Sequence, residues 1–101
     1  MFEVIAEPNR RAILGLLAAS QRSVGEIERQ LRMPQPMVSK HLGVLKQVGL
    51  VRERRVGRQR LYRVNAERLK PIYDWVAPFE RYWSESFDRL DEILENLKKE
   101  K

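Results

Sequence analysis

The 101-residue sequence contains no cysteine and a single histidine, His41. Without a thiol, disulfides, thiolate metal sites, redox switches and cysteine nucleophiles are excluded by inventory, and one imidazole leaves little from which to build a zinc site. There is no Gly-rich phosphate loop, no paired-acid motif and no Ser–Asp partnership for His41, so we expect no catalytic residues, no cofactor and no enzyme activity. Long hydrophobic runs are missing too: nothing approaches the roughly 18 residues that a membrane span needs. The opening MFEVIAEPNRR lacks the basic start, apolar core and small-residue cleavage site of a signal peptide. A cytoplasmic protein with no membrane partner is expected.

What the chain does have is charge, unevenly spread. Charged residues make up 34% of it, and a hydrophobic fraction of 43% argues for a folded protein. We expect one domain over 1–101, with a core small enough that oligomerisation is a common supplement. The net charge of +6 hides an asymmetry: residues 1–70 hold 15 Lys/Arg against 6 Asp/Glu (+9), and residues 71–101 hold 5 against 8 (−3). The basic front suits a polyanion such as double-stranded DNA. On charge alone, a surface that merely aids solubility is the plainer reading.

Hydrophobic spacing then divides the chain. Pro8 sits well at the start of a helix running to Ala19, with Ile13, Leu14, Leu16 and Leu17 as its buried side. Ser23 and Glu26 have the spacing of a capping box, so a short helix should begin at Val24, bury Val24, Ile27 and Leu31, and end before Arg32-Met33-Pro34. After a tight break, Pro36 opens a third helix whose apolar stripe is Val38, Leu42 and Leu45, with Gly49 ending it. Two short helices joined this way form a helix-turn-helix. From Leu50, β-branched and aromatic residues alternate with arginine on either side of GRQ, which predicts a β-hairpin with a loop of about three residues. Residues 52–63 hold six Arg against one Glu, too many charges to be covered by protein, so the hairpin must face solvent or an anion.

Helix returns after Asn65, with breaks at Pro71 and Pro78: a short helix near 67–77 and a longer one from about Pro78 to Lys98. Phe79, Trp83, Phe87, Leu90, Leu94 and Leu97 recur at steps of three and four, and six of the eight aromatics lie between Tyr73 and Phe87. Such a seam predicts a dimer interface built from Trp75, Phe79, Tyr82, Trp83, Phe87, Leu90, Leu94 and Leu97. An aromatic pocket for an apolar small-molecule effector near Trp75, Phe79 and Trp83 is the alternative.

On the third helix, Gln35, Ser39, Lys40 and Gly43 project away from the apolar stripe and cluster toward its N-terminal end, the end that a helix-turn-helix sends into the major groove. Gln pairs with adenine, Lys reaches guanine O6/N7, and Ser serves a base edge or a phosphate. Gly43 costs about 0.5–1 kcal/mol against Ala in a helix, yet permits close approach of DNA or of a neighbouring helix. Pro36 and His41 complete the DNA-binding candidates on this helix. His41 is read either as a phosphate contact beside Lys40 or as a packed residue.

PNRRAILGLL, SVGEIERQL, QPMVSKHLGVLKQVGLV and RRVGRQRLYRV, in this order and spacing, resemble the ArsR-type winged helix-turn-helix transcriptional regulators. The resemblance covers nearly the whole chain and is most specific in QPMVSKHL, GLV and the Arg/Tyr hairpin. It implies a mainly α fold with a small β-hairpin, a DNA-binding core over 8–64, a recognition helix over 35–48 and a wing over 51–64. It also implies a homodimer formed by the first and last helices, 2–6 and 71–98, which brings Phe2 and Ile5 into the interface. Among the wing candidates Arg54, Arg55, Arg58 and Arg60, the resemblance lays Arg55, Arg58 and Arg60 along the minor groove or the adjacent backbone. The expected function is a homodimeric repressor on an inverted-repeat operator, extending to control of its own gene.

Two departures from the family stand out. Arg32 and Pro34 occupy positions where Gly and a Ser or Thr cap are usual, which leaves the recognition helix without a nameable side-chain cap. EIERQL has no Cys and the last helix no His, so metal sensing is not expected. Two other readings stay open on sequence alone, a protein-interaction adaptor and a nonspecific architectural DNA binder.

Overall fold

The computed structural model describes residues 1–83. The chain forms two compact units, Met1–Leu69 and Lys70–Lys101. The first holds the whole expected DNA-binding core.

In the first unit, a one-turn helix α1 (Phe2–Ile5) leads into α2 (Pro8–Ala19). Pro8 takes the first helical position, and the Glu7 side chain caps the helix by accepting the Arg10 backbone N–H at 2.9 Å. Helix α3 (Val24–Leu31) starts with the expected capping box: Ser23 Oγ accepts the Glu26 N–H at 3.3 Å, and Glu26 Oε1 accepts the Ser23 N–H at 3.2 Å. Its C-terminus closes on Arg32, held in the left-handed region at φ 53°, ψ 44°. That conformation costs a non-glycine residue roughly 1–2 kcal/mol.

Helix α4 (Gln35–Gln47) follows, with Pro34 at its N-cap and no side chain capping it. Its other end is a complete Schellman motif. Gly49, at φ +81°, donates its N–H to the Lys46 carbonyl at 3.0 Å, and Leu50 donates to Leu45 at 3.0 Å. Leu45 and Leu50 are both fully buried, the apolar contact that accompanies such a stop.

The chain then forms the hairpin β2 (Val51–Val56) and β3 (Gln59–Val64). The connecting loop is two residues, Gly57-Arg58, rather than three, because Gln59 already pairs with Val56. Gly57 at φ +61° supplies the positive φ that a type II′ turn needs at its first central position. A short strand β1 (Arg22–Ser23) adds to β3 and makes the sheet three-stranded in the order β1-β3-β2. Asn65 locks the base of the hairpin: its N–H reaches the Leu50 carbonyl at 2.8 Å and its Nδ2 the Gly49 carbonyl at 3.0 Å.

The core of this unit is Ile13, Leu14 and Leu17 from α2, Ile27 from α3, Val38, Leu42 and Leu45 from α4, and Leu50, Val51 and Tyr62 from the sheet and its lead-in. Leu16, Val24 and Leu31, expected inside, are only partly buried against it. Arg68, at the end of the Ala66–Leu69 3₁₀ turn, lies over Gly49, where a Cβ would meet its Nε at 2.9 Å.

The second unit begins with α5 (Lys70–Val76), so the helix expected near 67–77 is split into a 3₁₀ turn and α5. A 3₁₀ turn over Ala77–Phe79 carries Pro78 and passes into helix at residues 80–83. Within this unit the Trp75 and Phe79 rings lie 5.8 Å apart and the Phe79 and Trp83 rings stack at 6.3 Å, a ladder at four-residue steps. Phe87, Leu90, Leu94 and Leu97 lie outside the described residues.

Candidate nucleic-acid interface

With Val38, Leu42 and Leu45 turned inward, α4 exposes Gln35, Pro36, Ser39, Lys40, Gly43, Lys46 and Gln47 in one continuous stripe along its length. Gln35 Nε2 donates to Ser39 Oγ at 3.3 Å, which orients both side chains on that face. Lys40 stands exposed beside them. Gly43 sits in the middle of the stripe, and a Cβ built on it meets nothing within 4 Å. Among the described residues no neighbour therefore requires glycine there.

His41 corrects the sequence reading. Counted among the DNA-binding candidates but read there either as a phosphate contact or as a packed residue, it is 7% exposed and packs on the core side of α4. Positions 38, 41, 42 and 45 form the i, i+3, i+4, i+7 set of one helical face, so the spacing already contains this outcome.

The wing has two faces, because alternate residues of a strand point to opposite sides. The register pairs Val51 with Val64, Glu53 with Tyr62 and Arg55 with Arg60 on one face; Arg52 with Arg63, Arg54 with Leu61 and Val56 with Gln59 share the other. Val51 and Tyr62 are buried, so the first face is the one that meets the helices. Arg55 and Arg60 thus continue the α4-facing side, Arg58 occupies the tip, and Arg54 points away together with Arg52 and Arg63. The four wing candidates do not form one cluster. Two like-charged pairs, Arg55–Arg60 and Arg52–Arg63, lie directly across the hairpin, an arrangement that destabilises a sheet unless an anion offsets it.

Glu53, in sequence merely the lone acid of the wing, is its strut. Its Oε2 accepts from Lys46 Nζ of α4 at 2.6 Å, and its Oε1 lies 3.4 Å from Arg60 Nε. The hydrogen bond from Lys46 is the main reason its carboxyl is held below the ordinary value of 4.5; partial burial opposes this, and the charges of Lys46, Arg60 and Arg55 add to it. Nothing in the sequence pairs residue 46 with residue 53, since the contact requires α4 to lie along the hairpin. Among the described residues, Arg60 is the one wing arginine with a carboxylate in ion-pair range.

A polar recess of about 280 Å³ lies at the base of the outer wing face, lined by Arg52, Arg63, Val64, Asn65, Ala66 and Glu67. Of the residues assigned to a dimer interface, Phe2 is half exposed and Ile5 is partly buried against the core. Trp75, Phe79, Tyr82 and Trp83 expose between 43% and 61% of their surface. Among the described residues no group of three or more His, Cys, Asp or Glu could hold a metal ion, and no helix is long and apolar enough to cross a membrane.

Comparison with known proteins agrees with this geometry. A family model described as a helix-turn-helix domain matches residues 5–54. The transcriptional repressor SdpR of Bacillus subtilis is 32% identical over 79 residues, covering 78% of this chain and 88% of that protein. The HTH-type transcriptional repressor SmtB of Mycobacterium tuberculosis is 43% identical over 72 residues, 71% of this chain but only 53% of that protein. Among solved structures, a homodimeric winged helix-turn-helix DNA-binding domain from Mycobacterium bovis, described as a possible ArsR-family transcriptional regulator, superposes with a TM-score of 0.68 at 31% identity. That alignment covers 83% of this chain and 78% of the other.

Proposed function

From the premise that the chain belongs to the ArsR family of winged helix-turn-helix transcriptional regulators, we propose that it is a homodimeric repressor that occupies an inverted-repeat operator, its own promoter included. Gln35, Pro36, Ser39 and Lys40 enter the major groove from the N-terminal end of α4 and choose sequence. Arg55, Arg58 and Arg60 follow the minor groove or the backbone beside it, and Arg54 reaches phosphate from the outer face of the wing. Phe2 and Ile5 with the aromatic ladder Trp75, Phe79 and Trp83, Tyr82 and the apolar seam beyond it (Phe87, Leu90, Leu94 and Leu97) form the dimer. We assign the ladder to that interface rather than to an apolar effector.

The observation that carries this reading is the Lys46–Glu53–Arg60 bridge. It holds the arginine-rich wing against α4, whose exposed stripe it adjoins, and so supports a reading in which base-reading and phosphate-binding groups act together. Metal sensing through thiolates has no residues to use, since the chain has no Cys and its one His is buried. The protein acts where the chromosome lies, in the cytoplasm.

The test is a nuclease footprint of the purified protein on DNA from upstream of its own gene. Two protected half-sites of opposite orientation are expected, their centres roughly one helical turn, about 34 Å, apart. Protection of a single half-site would overturn the dimer, and even protection of the whole fragment would overturn sequence choice.

A further inference from the structure

His41 is the one polar side chain of the core among the described residues. Its Nδ1 is buried without a hydrogen-bond partner, a cost that leucine or methionine at the same place would avoid. Packing alone is therefore a poor account of a histidine here. Its Nε2 points at another element: it lies 3.6 Å from Oε2 of Glu7. At that distance the pair is an electrostatic contact rather than a hydrogen bond.

Glu7 is not a free surface acid. The same Oε2 accepts the Arg10 N–H and so caps α2. Burial pushes the Glu7 carboxyl up, but the Arg10 and Asn9 backbone N–H groups and attraction to His41 and Arg10 outweigh it and hold the group below its ordinary value. The residues next to this cap grip the N-terminal helix. Arg10 Nε donates to the Val4 carbonyl at 2.6 Å and its Nη2 to Glu3 at 3.4 Å, while Arg11 Nη1 donates to the carbonyls of Ile5 at 2.9 Å and Ala6 at 2.8 Å. Carbonyls along α1 and just after it are thus held by the first turn of α2, whose capping carboxylate faces a histidine on α4, one residue beyond Lys40. These contacts run without a gap from Phe2–Ile5 to the helix that carries the base-reading side chains.

We propose that Glu7 and His41 are positioning residues: their contact sets the placement of α4 on the N-terminal segment, so that operator affinity depends on how that segment is held. Resting on the dimer reading above, this makes the contact the route by which a partner protomer seated against Phe2 and Ile5 strengthens DNA binding by α4.

The test uses the full chain and three variants, His41→Leu, Glu7→Gln and the double variant, with DNA affinity for operator and scrambled duplex measured beside thermal stability. His41→Leu removes the unpartnered buried nitrogen, and Glu7→Gln retains an oxygen that accepts the Arg10 N–H, so the variants are expected to stay folded. Operator affinity should nevertheless fall about 5- to 10-fold in each single variant, the lower part of the usual range for coupling between sites. The double variant should fall no further than His41→Leu alone, because both changes break one contact. Amide hydrogen exchange over residues 35–47 should quicken in His41→Leu while global stability holds. Unchanged operator affinity in His41→Leu, or fully additive losses in the double variant, would overturn the proposal. If His41→Leu were to unfold, Glu7→Gln and its exchange profile decide in the same way. Failure of the function itself shows separately, as a wild-type protein that does not prefer operator over scramble.

Discussion

The recognition helix and the wing carry the same sign of charge, but they are built differently. The exposed face of α4 is mostly neutral and small, with Gln35, Ser39 and Gly43 around Lys40, and two of its side chains already hold each other through a 3.3 Å hydrogen bond. The wing is the reverse: six arginines over residues 52–63, four of them paired across the strands against electrostatics, with one Glu held by Lys46 and Arg60. Oriented neutral donors and acceptors discriminate between base pairs, whereas unpaired guanidinium groups attract any phosphate backbone. On the proposed reading, the difference is a division of labour in which α4 supplies choice and the wing supplies salt-dependent affinity.

The largest effects should come from removing one residue on each side of that division. Lys40→Ala should cost about 1–3 kcal/mol of discrimination between operator and mismatched DNA while weakening scrambled duplex little. Arg58→Ala should weaken all sequences alike and reduce the salt slope by about 0.9 for each phosphate that the side chain no longer neutralises. Affinities of both variants for operator and scramble at two salt concentrations check this; equal loss of discrimination in both would break the comparison.

Backbone strain offers a control that should leave the interface untouched. Arg32→Gly relieves the left-handed residue at the turn between α3 and α4 and should stabilise the fold by about 1 kcal/mol. For a domain of this size that is a rise in Tm of roughly 4–8 °C, with operator affinity unchanged.

Gly43→Ala should separate stability from binding. Nothing within 4 Å opposes the added methyl, so helix propensity alone predicts a gain of about 0.5–1 kcal/mol in a denaturant melt. On DNA the same methyl intrudes where α4 approaches the groove, and affinity should drop. A variant that is both more stable and equally tight would mean that Gly43 does not face DNA. Gly15, equally open on α2 and away from the recognition stripe, is the matched control and should gain stability without weaker binding.

The smallest effect concerns pH. Because the folded-state pKa of Glu53 is lowered, chiefly by the Lys46 hydrogen bond, its contribution to stability is present above the unfolded value near 4.5 and is lost as pH falls through the lower folded value. Glu53→Gln should therefore flatten the acid limb of a Tm-against-pH curve below about pH 5. An acid limb identical to wild type would show that the strut does not couple wing to helix.

Much of this architecture is legible in the sequence because local rules fix it. Ser23 and Glu26 announce α3, and Gly49 ends α4 because only a positive φ lets the chain turn there at no cost. The apolar spacing of Val38, Leu42 and Leu45 orients α4 as the structure has it. What escapes depends on contacts between distant segments. Strand β1 is two residues that count as a strand only because Tyr62 and Leu61 lie opposite them. Glu53 has the look of a minor neutralising charge until α4 is laid beside it. His41 is a different case, since its place between Val38 and Leu45 is readable from helical periodicity and only the polar nature of the residue argues the other way.

The most direct test of the central claim is the ratio of affinities, by fluorescence anisotropy, for labelled DNA from upstream of the gene and for a scrambled duplex, each at two salt concentrations. A sequence-reading helix beside an electrostatic wing predicts a preference of about 10³-fold or more, with both affinities falling steeply as salt rises. Equal affinities with the same steep salt slope would contradict it, leaving the wing as the whole of the interaction and α4 as a helix that reads nothing.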